Sequence, residues 1–134
     1  MTTQESLILT PTAPGELVDK ITVLEIKKER LTDPVKLANV NTELNLLLQA
    51  KSEHITNSEK LDELEKSLKE ANIVIWDMSE KIREHMNAKN YDDEFIKVSY
   101  EIHSANDRRA SIKKEINLML GSSLIEEKSY KDWK

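Results

Sequence analysis

The chain has no cysteine, which excludes disulfide cross-links, thiolate nucleophiles and Cys-ligated zinc or iron–sulfur centres. Two glycines and three prolines in 134 residues are too few for the many tight turns of a β-sandwich or barrel. Aromatic residues are as scarce, with one Phe, three Tyr and two Trp, while Leu, Ile, Lys and Glu abound, a balance that favours helix over sheet. Nowhere do about eighteen apolar residues follow one another, and Met1–Thr10 lacks the basic start and apolar run of a secretory signal. A cytoplasmic protein with no membrane contact is therefore expected. Acids outnumber Lys and Arg by 25 to 20, both signs are interspersed, and the net charge of −5 offers no basic field to gather phosphate backbones, so nucleic acid is not an expected partner.

Chemical motifs are missing too. His54, His85 and His103 share no ligand spacing on a common helical face, so no metal site and no cofactor is expected. Acidic pairs such as Glu59 with Asp62 and Asp77 with Glu80 have the spacing of ordinary solvated helix faces. No serine lies in a Gly-x-Ser-x-Gly turn, and there is no glycine-rich loop.

What is present is helical periodicity. The 38% hydrophobic content suits one modest core, and the pattern predicts an all-α antiparallel bundle with three parts: an extended arm over 1–13, a helical domain over 14–121 and a tail over 122–134. Helix one is expected from Pro14 to about Leu31, with Thr12 as cap. Helix two follows the Thr32-Asp33-Pro34 break and runs to Lys51, burying Leu37, Val40, Leu44, Leu47 and Leu48. Helix three, capped by Ser58, carries Leu61, Leu64, Leu68, Ala71, Ile75, Met78, Ile82 and Met86 at a sustained 3.5-residue spacing, with Trp76 beside the stripe. A short polar turn over Asn87–Asp92 should fold helix four, Asp92 to Leu120, back on helix three as a long hairpin, and Gly121 supplies its left-handed cap. Leu124, Ile125, Tyr130 and Trp133 give the tail enough apolar surface to dock on the bundle or on a second subunit.

Two helices carry features that a generic bundle lacks. Helix one is apolar on two sides, with Leu17, Ile21 and Leu24 on one and Val23 and Ile26 on the other, so it is either the central helix or part of a subunit interface. Asp19, Lys20, Lys27 and Arg30 then lie at its seams. Helix four reads Phe95, Val98, Ile102, Ala105, Arg109, Ile112, Ile116 and Met119 along one face, apolar except at Arg109. A guanidinium in that place needs either an acid from a facing helix or a bound anion, and Asn106 and Lys113 flank it on the same face.

The run Pro14-Gly15-Glu16-Leu17-Val18-Asp19-Lys20-Ile21-Thr22-Val23-Leu24-Glu25-Ile26-Lys27-Lys28-Glu29-Arg30, continued in Asp33-Pro34-x-Lys36-Leu37-Ala38-Asn39-Val40, resembles the opening of a bacterial family of unknown function. So does Asn106-Asp107-Arg108-Arg109-Ala110-x-Ile112-Lys113-x-Glu115-Ile116-Asn117, with Gly121 and Glu126-Glu127-Lys128-Ser129-Tyr130. The resemblance implies a small helical protein without an assigned activity, encoded at times near sugar-transfer or surface-polysaccharide genes. Lys20, Lys27, Arg30 and Arg109 imitate the cations of an all-α chorismate mutase, but their order and spacing do not follow that family. Glu59-x-x-Asp62 stands without the partner motif of an all-α nucleotide pyrophosphohydrolase. Two functions thus remain: a non-enzymatic helical interaction or ligand-binding module, expected as a homodimer that presents a surface to a partner protein, or a site between helices one and four that binds or processes a small anion such as a sugar phosphate or nucleotide sugar. The second would use Glu16, Asp19, Lys20, Lys27, Arg30, Asn106, Arg109 and Lys113.

Overall fold

A computed structural model describes residues 7–129. Tyr130 and Trp133, expected to dock with the tail, lie outside them. Four helices follow in order: α1 over Pro14–Arg30, α2 over Pro34–His54, α3 over Glu59–Ala88 and α4 over Asp93–Met119. Residues 7–13 and 122–129 are not helical. The helix starts are set by side chains read from the sequence, since Asp33 accepts from the Val35 amide, Ser58 from Leu61 and Asp92 from Phe95. The ends of α3 and α4 use left-handed residues, while Leu31 and Ile55 after α1 and α2 are extended. Gly121, at φ 68°, follows α4 and lets the Ser122 amide reach back to the Asn117 carbonyl, and Lys89, at φ 53°, does the same after α3 as Asn90 reaches His85.

The start of α1 departs from expectation. Thr12 turns back to the Thr10 carbonyl, and Ala13 at the cap position gives no side-chain bond. The Gly15 amide instead donates to Asn117 Oδ1 of α4 at 2.7 Å, so one helix is capped by another. A side chain at position 15 would obstruct this, because a Cβ there would sit 2.5 Å from the Lys113 carbonyl oxygen and 2.9 Å from Asn117 Oδ1.

Helix α1 is the centre of the bundle and packs against all three of the others. Its Ile21 and Leu24 meet Val40 and Leu44 of α2, with Leu17, Leu31 and Leu47 around them. Val18 faces the hairpin and joins Leu61, Leu64 and Leu68 of α3 and Ile112 and Ile116 of α4. Helix α2 packs on α1, and a Lys51–Glu65 ion pair of 2.7 Å ties its last turn to α3. Leu48, expected on the buried face of α2, is 41% exposed.

The α3–α4 hairpin outruns the helix that covers it. Thirty residues make α3 about 45 Å long and seventeen make α1 about 26 Å, at 1.5 Å per residue. The buried residues of α3 accordingly stop at Asn72, and those of α4 begin only at Val98. The stripe read from the sequence continues beyond this point, but Ile75, Met78 and Ile82 are only half-buried and Met86 is exposed. Met119, at the other end of the α4 stripe, is also exposed. Trp76 is half-buried, with the Arg30 guanidinium 5.9 Å from its ring centre.

Gly15→Ala discriminates between intrinsic propensity and packing. Propensity alone would stabilise α1 by about 1 kcal/mol. The clash with the Lys113 carbonyl reverses the sign, and a net loss of about 1–2 kcal/mol is expected in urea unfolding. A gain in stability would show that α1 and α4 are free to separate.

Candidate functional site

One face of α4 carries a polar line, Asn106, Arg109, Lys113 and Asn117, at helical steps of three, four and four. Three of these residues meet α1 in antiparallel order: Arg109 bonds Asp19, Lys113 bonds Glu16, and Asn117 bonds Gly15. The seam between the helices is therefore a ladder of polar contacts in a largely apolar surround.

The first rung holds a buried charge. Asp19 is 3% exposed, and Arg109 grips it with both prongs of a fork, Nε donating to Oδ1 at 2.8 Å and Nη2 to Oδ2. From α3, the Asn72 amide donates to Asp19 Oδ1 and to Thr22 Oγ1, both at 2.9 Å. Thr22 donates to the Asp19 carbonyl at 2.7 Å. Three helices thus share four polar side chains, and no buried side-chain nitrogen or oxygen among the described residues lacks a partner. The Asp19 hydrogen bond raises the Arg109 pKa further above its ordinary value, with burial opposing, so the cation is permanent.

Arg109 is nonetheless not sealed. A third of its side chain remains accessible, and it borders two hollows on the α1–α4 side. The larger, about 280 Å³, is lined by Asp19, Lys20, Val23, Lys27 and Glu43 among others. Lys20 is held by Glu43 at 2.9 Å, whereas Lys27 is half-buried and forms no ion pair among the described residues. The smaller, about 250 Å³, adds Glu16, Asn106, Lys113, Glu126 and Lys128.

The remaining candidates separate. Lys113, with 12% of its side chain exposed, lies between Glu16 at 2.6 Å and Glu126 at 3.3 Å, so two acids already neutralise it. Hydrogen bonding from Lys128 and the charge of Lys113 lower the Glu126 pKa, which keeps the tail anionic where it crosses α4. Arg30 sits apart, paired with Asp77 at the edge of α3. Asn106 is exposed at the rim of the smaller hollow. Sequence reasoning missed Thr22, Asn72, Asn117 and Glu126. Asn117 had a visible signal, for it extends the Asn106, Arg109, Lys113 line by one more step.

The comparison with protein families is decided by one match, which runs over residues 11–133 and so takes in all four helices and the polar ladder. The chain belongs to a family of unknown function, DUF6165. No curated protein and no solved structure matches it. For this member of DUF6165, chemistry must be argued from the ladder itself. Among the described residues no three His, Cys, Asp or Glu side chains converge as metal ligands, and no helix is long and apolar enough to cross a membrane.

Removing either partner of the first rung should have unequal effects. Arg109→Met leaves a carboxylate buried with Asn72 as its one charged-state partner, and a loss of about 3 kcal/mol is expected in urea unfolding. Asp19→Ala leaves a guanidinium that can turn to water through its open third, and about 1–2 kcal/mol is expected. Equal losses, or a larger one for Asp19→Ala, would contradict this assignment of burial.

Proposed function

We propose that the protein is a cytoplasmic, non-enzymatic interaction module that acts as a homodimer and presents the outer half of its α3–α4 hairpin to a partner protein. The observation that carries this is the uncovered length of the hairpin. On the inner half, α1 lies on α3 and α4 as a third helix, and the shared face is buried. On the outer half the same two helices continue, no residue of α3 after Asn72 is buried, and Met86, Tyr91, Ile96 and Tyr100 are each more than half exposed. An amphipathic helix laid along Ile75, Met78 and Ile82 would repeat there what α1 does further in. The tip is built to hold its shape, with Phe95 edge-on to both His85 and Tyr91 and the Asp92 cap on its amide. A rigid tip keeps the cost of ordering low when a partner binds.

The pairing of the seam's acids supports the non-enzymatic side. Asp19 and Glu16, the acids nearest the hollows, are committed to Arg109 and Lys113. A small-anion site between α1 and α4 is favoured by a single observation: Lys27, which forms no ion pair among the described residues, lines the same hollow as Arg109. Phosphate and malonate should then raise the melting temperature of the wild type but not of Lys27→Ala, and no shift in either protein would remove that site.

Photo-crosslinking amino acids placed at Ile82 or Ile96 should trap a discrete protein in extract from the natural host, whereas the same group at Thr42 on α2 should not. Equal labelling at all three positions, or no discrete product at 82 and 96, would refute the hairpin as the presenting surface.

A further inference from the structure

The outward face of α2 carries no charge. Val35, Ala38, Asn39, Thr42, Asn45, Leu46 and Gln49 recur at steps of three and four, turned away from the buried Val40 and Leu44, and all seven are exposed. Lys36 and Glu43 lie off this face, and Glu43 is paired with Lys20. About a third of the chain is charged, and the exposed sides of the other helices reflect it, with Lys20 on α1, Glu63 and Lys66 on α3 and Lys97 and Lys114 on α4. Apolar groups stand in water on α2 instead, with Val35 69% exposed and Leu46 43%. Of the other helices, α2 packs on α1 alone, so no described helix covers this face.

The polar groups on the face are of a kind that matches itself. The side-chain amides of Asn39 and Asn45 form no hydrogen bond among the described residues, and Thr42 bonds only to the Ala38 carbonyl of its own helix. An amide both donates and accepts, so it can pair with its own copy, which an ionised carboxylate or an ammonium cannot do. Two chains of net charge −5 repel each other, and an uncharged face is where that repulsion is least. A partner of another sequence can be matched through charges of either sign. A second copy brings only the same groups again, so self-matching side chains are what it requires. Antiparallel pairing about Thr42 supplies the match: Asn39 of one copy faces Asn45 of the other, Ala38 faces Leu46 and Val35 faces Gln49. An amide then meets an amide, and a small side chain leaves room for a large one.

We propose that two copies of the chain pair through the outward faces of α2, antiparallel and with the two-fold axis at Thr42. The pairing rests on the homodimer proposed above and supplies its interface. Each contact away from the axis occurs twice, once in each direction. From Val35 to Gln49 the face is about 21 Å long at 1.5 Å per residue, a single-helix contact at the small end of specific interfaces, so the dimer is a reversible one.

Substitutions at these exposed positions separate pairing from folding. In sedimentation equilibrium at physiological salt the full-length wild type should form a dimer that dissociates on dilution. Asn39→Asp with Asn45→Asp sets carboxylates against each other across the axis, and Asn39→Lys with Asn45→Lys does the same with ammonium groups. Each variant alone should dissociate at least about a hundredfold more readily than the wild type. An equimolar mixture of the two should recover a heterodimer. Ala38→Leu alone should crowd Leu46 and weaken the dimer, and Ala38→Leu with Leu46→Ala should restore it, because the two positions face each other. A wild type that stays monomeric at millimolar concentration would remove the homodimer itself. A dimer indifferent to the charge substitutions, a mixture no tighter than its components, or a size exchange that restores nothing would overturn the α2 pairing and leave the homodimer standing. In the purified protein a photo-crosslinking group at Thr42 should join two copies of the chain with no host extract present, so the α2 face and the hairpin fail separately.

Discussion

The fold turns on one carboxylate. Asp19 lies where α1 crosses α3 and α4, almost wholly removed from water, and its charge is met by a forked guanidinium from one helix and an amide from the other. Such a group is costly to bury unpartnered, so only arrangements that bring Arg109 and Asn72 to the same point are tolerated. Apolar contacts alone would let α1 slide or rotate on the hairpin, since Val18 meets a surface of leucines and isoleucines that accepts many registers. The polar ladder removes that freedom. Lys113 with Glu16 and Asn117 with Gly15 extend the same register toward the start of α1, and the glycine lets the backbones approach closely enough for it.

From that fixed crossing the rest follows. Helix α1 has two packed sides, so α2 can rest on one while the hairpin occupies the other. Because α1 is little more than half as long as α3, it covers the hairpin only in part. The inner half becomes core. The outer half remains a pair of helices with an apolar seam, the surface on which the proposed interaction rests. The cations that suggested a ligand site are largely engaged in ion pairs, and those of Arg109 and Lys113 hold α1 in place.

Much of this was legible in the residues. Ser58, the Asp33-Pro34 pair and Gly121 act locally, on the amides and carbonyls of their own turn, so helix boundaries could be read directly. Arg109 announced itself by interrupting an apolar stripe, and Asp19 by lying on a two-sided helix. Long-range partners were less visible. Asn72 flanks its stripe and looks like an ordinary boundary residue until α1 is placed against it, and the Asn117 cap of α1 joins positions 102 apart in the chain. Thr12 had the chemistry of a cap and lost the place to a side chain from α4. Periodicity also says which face is apolar without saying that anything covers it, which is why the stripe through Met86 was readable while its exposure was not.

A double-mutant cycle on Asp19→Ala and Arg109→Ala, followed by urea unfolding, measures the central interaction most directly. A shared, largely desolvated rung predicts that the double variant loses less than the sum of the singles, with a coupling energy of about 1.5–3 kcal/mol. Additive losses, equal to the sum within about 0.5 kcal/mol, would mean that the two side chains are energetically independent and that something other than their pairing fixes α1 on the hairpin.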